Sequence, residues 1–242
     1  MRLMYIINRI TIYFITVVVM FYASNGSAQL STYNVANPGA LKVVIYGDEL
    51  TVGNYVRPEN SFAVQLERKL RTVGFNVNVE AVGENKVTLL TALQEIDGIM
   101  GKAPDVIILQ IGQTDIERNY NINEYKYNML NLIKQIKKKG IYVILIGVNA
   151  KPSAYRSELY VKLLKKLMKF ISESTPVYPY MLKGIEGNER FTLGDNYHPN
   201  AYGIKYLVDN IYVMVDAGLR WRIEQINKWH QEQQLKMYQY GR

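Results

Sequence analysis

Between Pro104 and Gly112 the chain runs Asp105, Val106, Ile107, Ile108, Leu109, Gln110, Ile111. A short, nearly continuous apolar run rich in β-branched residues predicts a strand over 105–111 that is buried on both faces. A sheet is covered on both faces only when helices pack on each side of it. This one segment therefore points to a parallel sheet inside an α/β domain. The flanking chain agrees. Strands are predicted over 41–46, 75–82, 141–146 and 177–180, each dominated by Val, Ile, Tyr or Phe. Between them lie helical patterns over 58–73, 87–100, 123–139, 153–174 and 200–216, several stopped by a glycine. In the 153–174 segment Leu159, Leu163, Leu164, Leu167 and Phe170 are in helical register. Strand and helix alternate with short connections. The predicted fold is a single doubly wound, five-stranded parallel sheet in three α/β/α layers, flavodoxin-like in plan.

The domain is expected to span 41–218. Ahead of it, Arg2 and Arg9, an apolar run from Ile10 to Ala23 and the small residues Ser24 to Ala28 have the order of a secretory signal over 1–28, with a linker over 29–40. The apolar run is shorter than the ~20 residues a spanning helix needs, although an uncleaved N-terminal anchor shares the pattern. Export to a periplasmic or extracellular space is the expectation. After Gly218 a polar, Gln- and Lys-rich stretch over 219–242 is expected to form a separate C-terminal helix held by Trp221 and Trp229. With 48% apolar residues, the 242-residue chain can bury a substantial core.

The chain has no cysteine, which excludes disulfides, thiolate metal sites, a cysteine nucleophile and a lipid-modified cysteine. The formal net charge of +8 serves solubility and admits peripheral contact with an anionic membrane surface. The basic residues are dispersed, without the aromatic interleaving that single-stranded nucleic acid requires, so no nucleic-acid partner is expected. No metal site is expected, because no convincing ligand cluster is present. No nucleotide cofactor is expected either, since the glycines after the first strand do not form a Gly-x-Gly-x-x-Gly turn.

Ligands in such sheets bind at the carboxyl ends of the strands. Four segments there could carry chemistry. They are Gly47-Asp48-Glu49-Leu50-Thr51, Gly83-Glu84-Asn85, Gly112-Gln113-Thr114-Asp115 and Asp195-Asn196-Tyr197-His198-Pro199. Together, from about Leu41 to Val215, they resemble the SGNH or GDSL hydrolases, in particular the periplasmic arylesterase, thioesterase and lysophospholipase branch. The first segment resembles Gly-Asp-Ser-Leu-Thr, the third Gly-x-Asn-Asp and the last Asp-x-x-His-Pro. The resemblance implies the SGNH hydrolase fold and acyl transfer. In that family a serine hydroxyl attacks an ester or thioester carbonyl, a histidine takes its proton and an aspartate orients the imidazole. Backbone N–H groups and an asparagine side chain stabilise the oxyanion.

Carried onto this chain, the resemblance makes His198 the base, Asp195 its orienting partner and Gly83 a backbone donor. The catalytic serine is replaced by Glu49 and the oxyanion asparagine by Thr114. Asp48 and Asp115 read as loop-holding residues, and Thr51 as pointing away from the site. A carboxylate at position 49 is expected at the start of a helical turn, facing His198 in an ion pair that keeps the imidazole charged and unfit as a base. The leading expectation is a degenerate member, inactive or crippled, because acyl-enzyme formation needs the hydroxyl. Three alternatives stay open: Glu49 as a carboxylate nucleophile, Glu49 with His198 activating a water, and a non-catalytic protein that binds acyl groups or glycans or serves a structural role in the envelope. Expected ligands are small acyl esters or thioesters, lipids or envelope glycans.

Overall fold

The computed structural model describes residues 40–149 and 157–240, within a compact unit that spans Pro38–Arg242. The predicted signal over 1–28, nearly all of the linker and the start of the 153–174 helix lie outside the described residues. Five strands form one sheet: β1 (Leu41–Gly47), β2 (Val77–Gly83), β3 (Val106–Gln110), β4 (Tyr142–Ile146) and β5 (Val177–Tyr178). Their order is β2-β1-β3-β4-β5 and every pairing is parallel. The helices are α1 (Glu49–Val52), α2 (Phe62–Thr72), α3 (Leu89–Gly101), α4 (Gln113–Glu117), α5 (Ile122–Lys138), α6 (Glu158–Ser172) and α7 (Ala201–Tyr240).

The strand period of two sorts the core into two layers. Val43 and Ile45 of β1, Val106 and Ile108 of β3, and Ile144 and Ile146 of β4 pack with Phe62, Leu66 and Leu70 of α2 and Leu207, Ile211 and Val215 of α7. Val44, Tyr46, Ile107, Leu109, Val143 and Leu145 point the other way, onto Ile96 of α3, Met129, Leu132 and Ile136 of α5 and Leu164 of α6. This is the three-layer α/β/α fold that the apolar strand at 105–111 predicts.

Three elements differ from the sequence reading. The helix expected over 58–73 starts later. Pro58–Asn60 is a 3-10 turn, and Ser61 caps α2 by accepting the Val64 N–H. A short helix, α4, fills the turn after β3, where none was predicted. The third difference is at Gly218. Rather than ending one helix before a second, it lies inside α7, which runs unbroken from Ala201 to Tyr240. A Cβ at Gly218 would stand 2.5 Å from the Tyr142 ring, so this glycine allows close helix-to-strand approach and stops nothing. Trp221 packs on Tyr142 as expected, with centroids 5.5 Å apart. Trp229 does not hold the helix to the domain: it is exposed beside His230.

Candidate active site

The chain leaves β1 for β2 on one side of the sheet, and the remaining strands are added on the other side of β1. The point where the winding reverses lies between the tips of β1 and β3. Helices on opposite faces diverge there and leave a crevice.

The tip of β1 is crowded. A Cβ on Gly83 would lie 1.7 Å from the Gly47 carbonyl oxygen, and one on Gly47 would lie 2.3 Å from Thr51 Oγ1 and 2.7 Å from Gln110 Oε1. Both positions need glycine so that the turn into α1 can fold tightly over β2 and β3. Asp48 caps α1, its Oδ1 accepting the Leu50 N–H at 3.0 Å. Gln110, the buried last residue of β3, locks the turn. Its Oε1 accepts from Asp48 N–H at 3.1 Å and from Thr51 Oγ1 at 2.9 Å, and its Nε2 donates to Asp48 Oδ2 at 2.9 Å. Thr51 is fully buried by this bond and, as expected, does not present its hydroxyl to the crevice. Burial pushes the Asp48 carboxyl above its ordinary value, opposed by the bonds from Gln110 and Leu50. Asp115 is a loop-holding residue too, since its Oδ2 accepts the Leu89 N–H at 3.0 Å.

The turn projects Glu49 outward from the first turn of α1, its side chain about half exposed. Across from it, Asp195 organises the second half of the site. Its Oδ1 accepts the N–H groups of Tyr197 and His198 at 3.0 Å each, which folds the segment into a side-chain-closed turn. Its Oδ2 bonds His198 Nδ1 at 2.5 Å. That bond, followed by the backbone bond from Tyr197, holds the Asp195 carboxyl down to about 2. With Nδ1 occupied, Nε2 faces Glu49. Its distance to Glu49 Oε1 is 3.9 Å, within ion-pair range but too long for a direct hydrogen bond. The expected pair between these side chains is thus present as a loose one. Two tyrosines frame the imidazole: Tyr55 tilted at 4.9 Å and Tyr197 edge-on at 5.1 Å between centroids.

A cavity of about 190 Å³ adjoins this pair. Leu50 and Tyr197, the chain neighbours of Glu49 and His198, form its near wall. Gln113, Glu117, Asn149 and Glu186 supply polar groups, and Met181 and Leu182 supply apolar ones. Gln113 Nε2 donates to Glu117 Oε1 at 3.1 Å and to the Asn149 carbonyl at 3.2 Å. Burial, followed by the charges of Asp48, Glu117, Glu49 and Glu186, pushes the Tyr197 hydroxyl up to about 12. The mouth of the site is therefore acidic in a chain of net charge +8.

Of the residues singled out in the sequence, Glu49, Asp195 and His198 come together, and Gly83 sits at the β1 tip beside Gly47. Thr114 is buried in the first turn of α4 and makes no hydrogen bond to those three among the described residues. Its neighbour Gln113 lines the cavity instead. Sequence reasoning missed Gln110, Tyr55, Tyr197, Glu117 and Glu186. Gln110 did carry a signal, as the one polar residue inside an otherwise apolar strand of 106–111.

Fold and site together define an α/β domain of parallel strands that sets a histidine–aspartate pair opposite the tip of its first strand. The model of the GDSL-like Lipase/Acylhydrolase family matches residues 45–205, more than half of the chain, and the chain belongs to that family. An arylesterase of Vibrio mimicus is 21% identical over 169 residues, which are 69% of this chain and 84% of the relative. Among solved structures, TesA superposes with a TM-score of 0.65 at 17% identity, over 73% of this chain and 99% of that one. The psychrotrophic esterase EstA from Pseudoalteromonas sp., inhibited by monoethylphosphonate, gives 0.64 at 20% identity, over 74% and 98%. AlinE4, an SGNH-hydrolase family esterase, gives 0.59 at 22% identity, over 75% and 98%.

Proposed function

We propose that this protein is an exported, cell-envelope member of the family that retains the acyl-binding cleft and the histidine–aspartate pair but does not turn over esters through an acyl-enzyme. The observation that carries this reading is the Glu49 carboxylate 3.9 Å from His198 Nε2, at the position that the resemblance gives to the nucleophile. A carboxylate there has no hydroxyl proton for the histidine to remove, and its attack on an ester would give a high-energy mixed anhydride. Export rests on the Arg2/Arg9, apolar and small-residue order of the first 28 residues.

The cavity narrows the ligand. Its 190 Å³ is below the ~300 Å³ at which drug-sized pockets begin, so it suits a short acyl group rather than a long chain. No lysine or arginine is among the described residues that line it. Glu117 and Glu186 stand on its wall.

The test is a paired assay of wild type and Glu49→Ser on short-chain p-nitrophenyl esters and acyl thioesters. Wild type is expected to be silent and Glu49→Ser to turn over. Its rate should stay about 10²–10³ below that of a complete serine site, because the oxyanion asparagine is also missing. Hydrolysis by wild type that His198→Ala abolishes overturns the proposal.

One observation favours a second reading, water activation. Glu49 and His198 are not closed into a direct hydrogen bond, so both can address one water between them. Under that reading wild type is active, and Glu49→Gln and His198→Ala each abolish the activity.

A further inference from the structure

Helix α6 is apolar on two faces. Val161, Leu164, Leu167 and Ile171 are buried against the sheet and α5. Leu159, Leu163 and Phe170, which share the helical register, stand in solvent at 64%, 38% and 52% exposure. At about 100° per residue these three fall within roughly 40° of one another, forming a single stripe ~16 Å long. Beside the stripe a groove of about 320 Å³ runs between Ile122 and Lys126 of α5 and Leu163, Lys166 and Phe170 of α6. Apolar side chains scattered singly on a surface are ordinary. An aligned row along a groove marks an interaction surface.

The charges around the stripe are mostly positive, with Glu158 at its start and Glu173 just past its end as the exceptions. Lys126, Lys162, Lys166 and Lys169 flank it, all exposed, and none makes an ion pair among the described residues. Lys126 Nζ lies 5.6 Å over the Phe170 ring, so its ammonium rests on the face of the aromatic at the rim of the groove. Acidic residues on α5 and α6 are confined to their first turns, at Glu124 and Glu158. Tyr127, exposed at 71%, adds an amphipathic ring on the α5 side.

We propose that this α5–α6 face docks on an anionic lipid bilayer. Leu159, Leu163 and Phe170 enter the headgroup boundary and the four lysines meet the lipid phosphates. Charge complementarity selects this occupant. A second copy of the chain docked through the same face would set lysine against lysine across a two-fold axis. The helices start at the carboxyl edge of the sheet, so the stripe begins at the end that carries the cleft, and docking brings the cleft beside the bilayer. The proposal is independent of whether the cleft turns over substrate.

The chain has no cysteine, so one can be introduced at a chosen site in the full chain and labelled with an environment-sensitive fluorophore. Leu163→Cys reports on the stripe. Val64→Cys, exposed on α2 on the opposite face of the sheet, is the control for binding through that face. With vesicles of phosphatidylglycerol and phosphatidylcholine the label at 163 is expected to shift to the blue while that at 64 stays unchanged. The shift should be absent on phosphatidylcholine alone and weaken with salt. Lys162→Gln with Lys166→Gln should weaken vesicle binding about fivefold per lysine, the ~1 kcal/mol a basic side chain gains at an anionic surface. Equal shifts at both positions overturn the proposal. So does an unresponsive label at 163, or one that shifts with protein concentration alone, as a protein–protein face would.

Discussion

Asp195 serves two purposes with one carboxylate: Oδ1 shapes the turn and Oδ2 fixes the imidazole. Its carboxyl is held at about 2, against an ordinary value near 3.9 for an unfolded aspartate. A depressed carboxyl stabilises the fold fully above the unfolded value, and the contribution disappears as pH falls from about 4 through about 2. A carbon-detected titration of Asp195 should therefore show its midpoint near 2, and Asp195→Asn should remove that part of the acid limb of stability. A midpoint near 4 sinks the bond. Gln110 gives a second test. Gln110→Leu keeps the bulk but strands the buried Thr51 hydroxyl and strips Asp48 of two bonds, so a loss of about 2–4 kcal/mol in urea unfolding is expected. Glu49, Asp195 and His198 could be singled out in the sequence because each lies in a short block that resembles a motif of the family. Gln110 was passed over because its partners are Asp48 and Thr51, 62 and 59 residues away. Tyr55 was missed for the same reason, since it meets the His198 ring only after folding; Tyr197 lies next to His198 in the chain, but its sequence position does not show that its ring stands edge-on to the imidazole.

At the scale of elements, strands and helices were legible wherever periodicity and burial coincide, as in β3 and α5. They were misread where one residue type serves two physical ends. Glycine ends helices, but it also lets them approach a neighbour, and nothing local to Gly218 separates the two uses. Leucine register on α6 was equally ambiguous, because a helix with two apolar faces reads like one with a single broad face. The glycine distinction can be measured. Gly98 sits in the exposed interior of α3, with nothing within 4 Å of an added Cβ. Gly98→Ala should stabilise the protein by about 0.5–1 kcal/mol through helix propensity alone. Gly218→Ala gains the same propensity but drives a methyl into the Tyr142 ring, and should destabilise by about 1–3 kcal/mol. Thermal or urea unfolding of the two variants should move in opposite directions. Stabilisation at Gly218 is incompatible with the packing described for α7.

For the whole molecule, α7 acts as a strut. It starts just after His198-Pro199 at the cleft, crosses the sheet on the α2 side and reaches the opposite edge at Arg222. There Arg222 Nε donates to Asp105 Oδ1 at 2.8 Å, while Asp105 Oδ2 accepts the Lys42 N–H at 2.8 Å and its carbonyl accepts from Tyr142 N–H. One carboxylate residue thus links the starts of β1, β3 and β4 to the helix that follows the His198 segment. Beyond Trp221, among the described residues, only Ile223 and Ile226 are hydrophobic side chains packed on the core, and from Lys228 to Gln239 the helix is almost wholly exposed. The strut and the projection should therefore separate in stability measurements. Ending the chain after Lys228 should leave the unfolding free energy within about 0.5 kcal/mol, the range of ordinary surface changes. Arg222→Met leaves the largely buried Asp105 carboxylate without its cation and should cost about 1–2 kcal/mol, an estimate already reduced for the partial exposure of Arg222. Because α7 begins at the site, the Arg222 variant should also loosen the His198 segment, seen as faster amide exchange at Tyr197 and His198, whereas the shortened chain should leave those amides unchanged. If shortening destabilises as much as Arg222→Met does, the projecting part of α7 must contribute to the fold, and the division of α7 at about Lys228 is wrong.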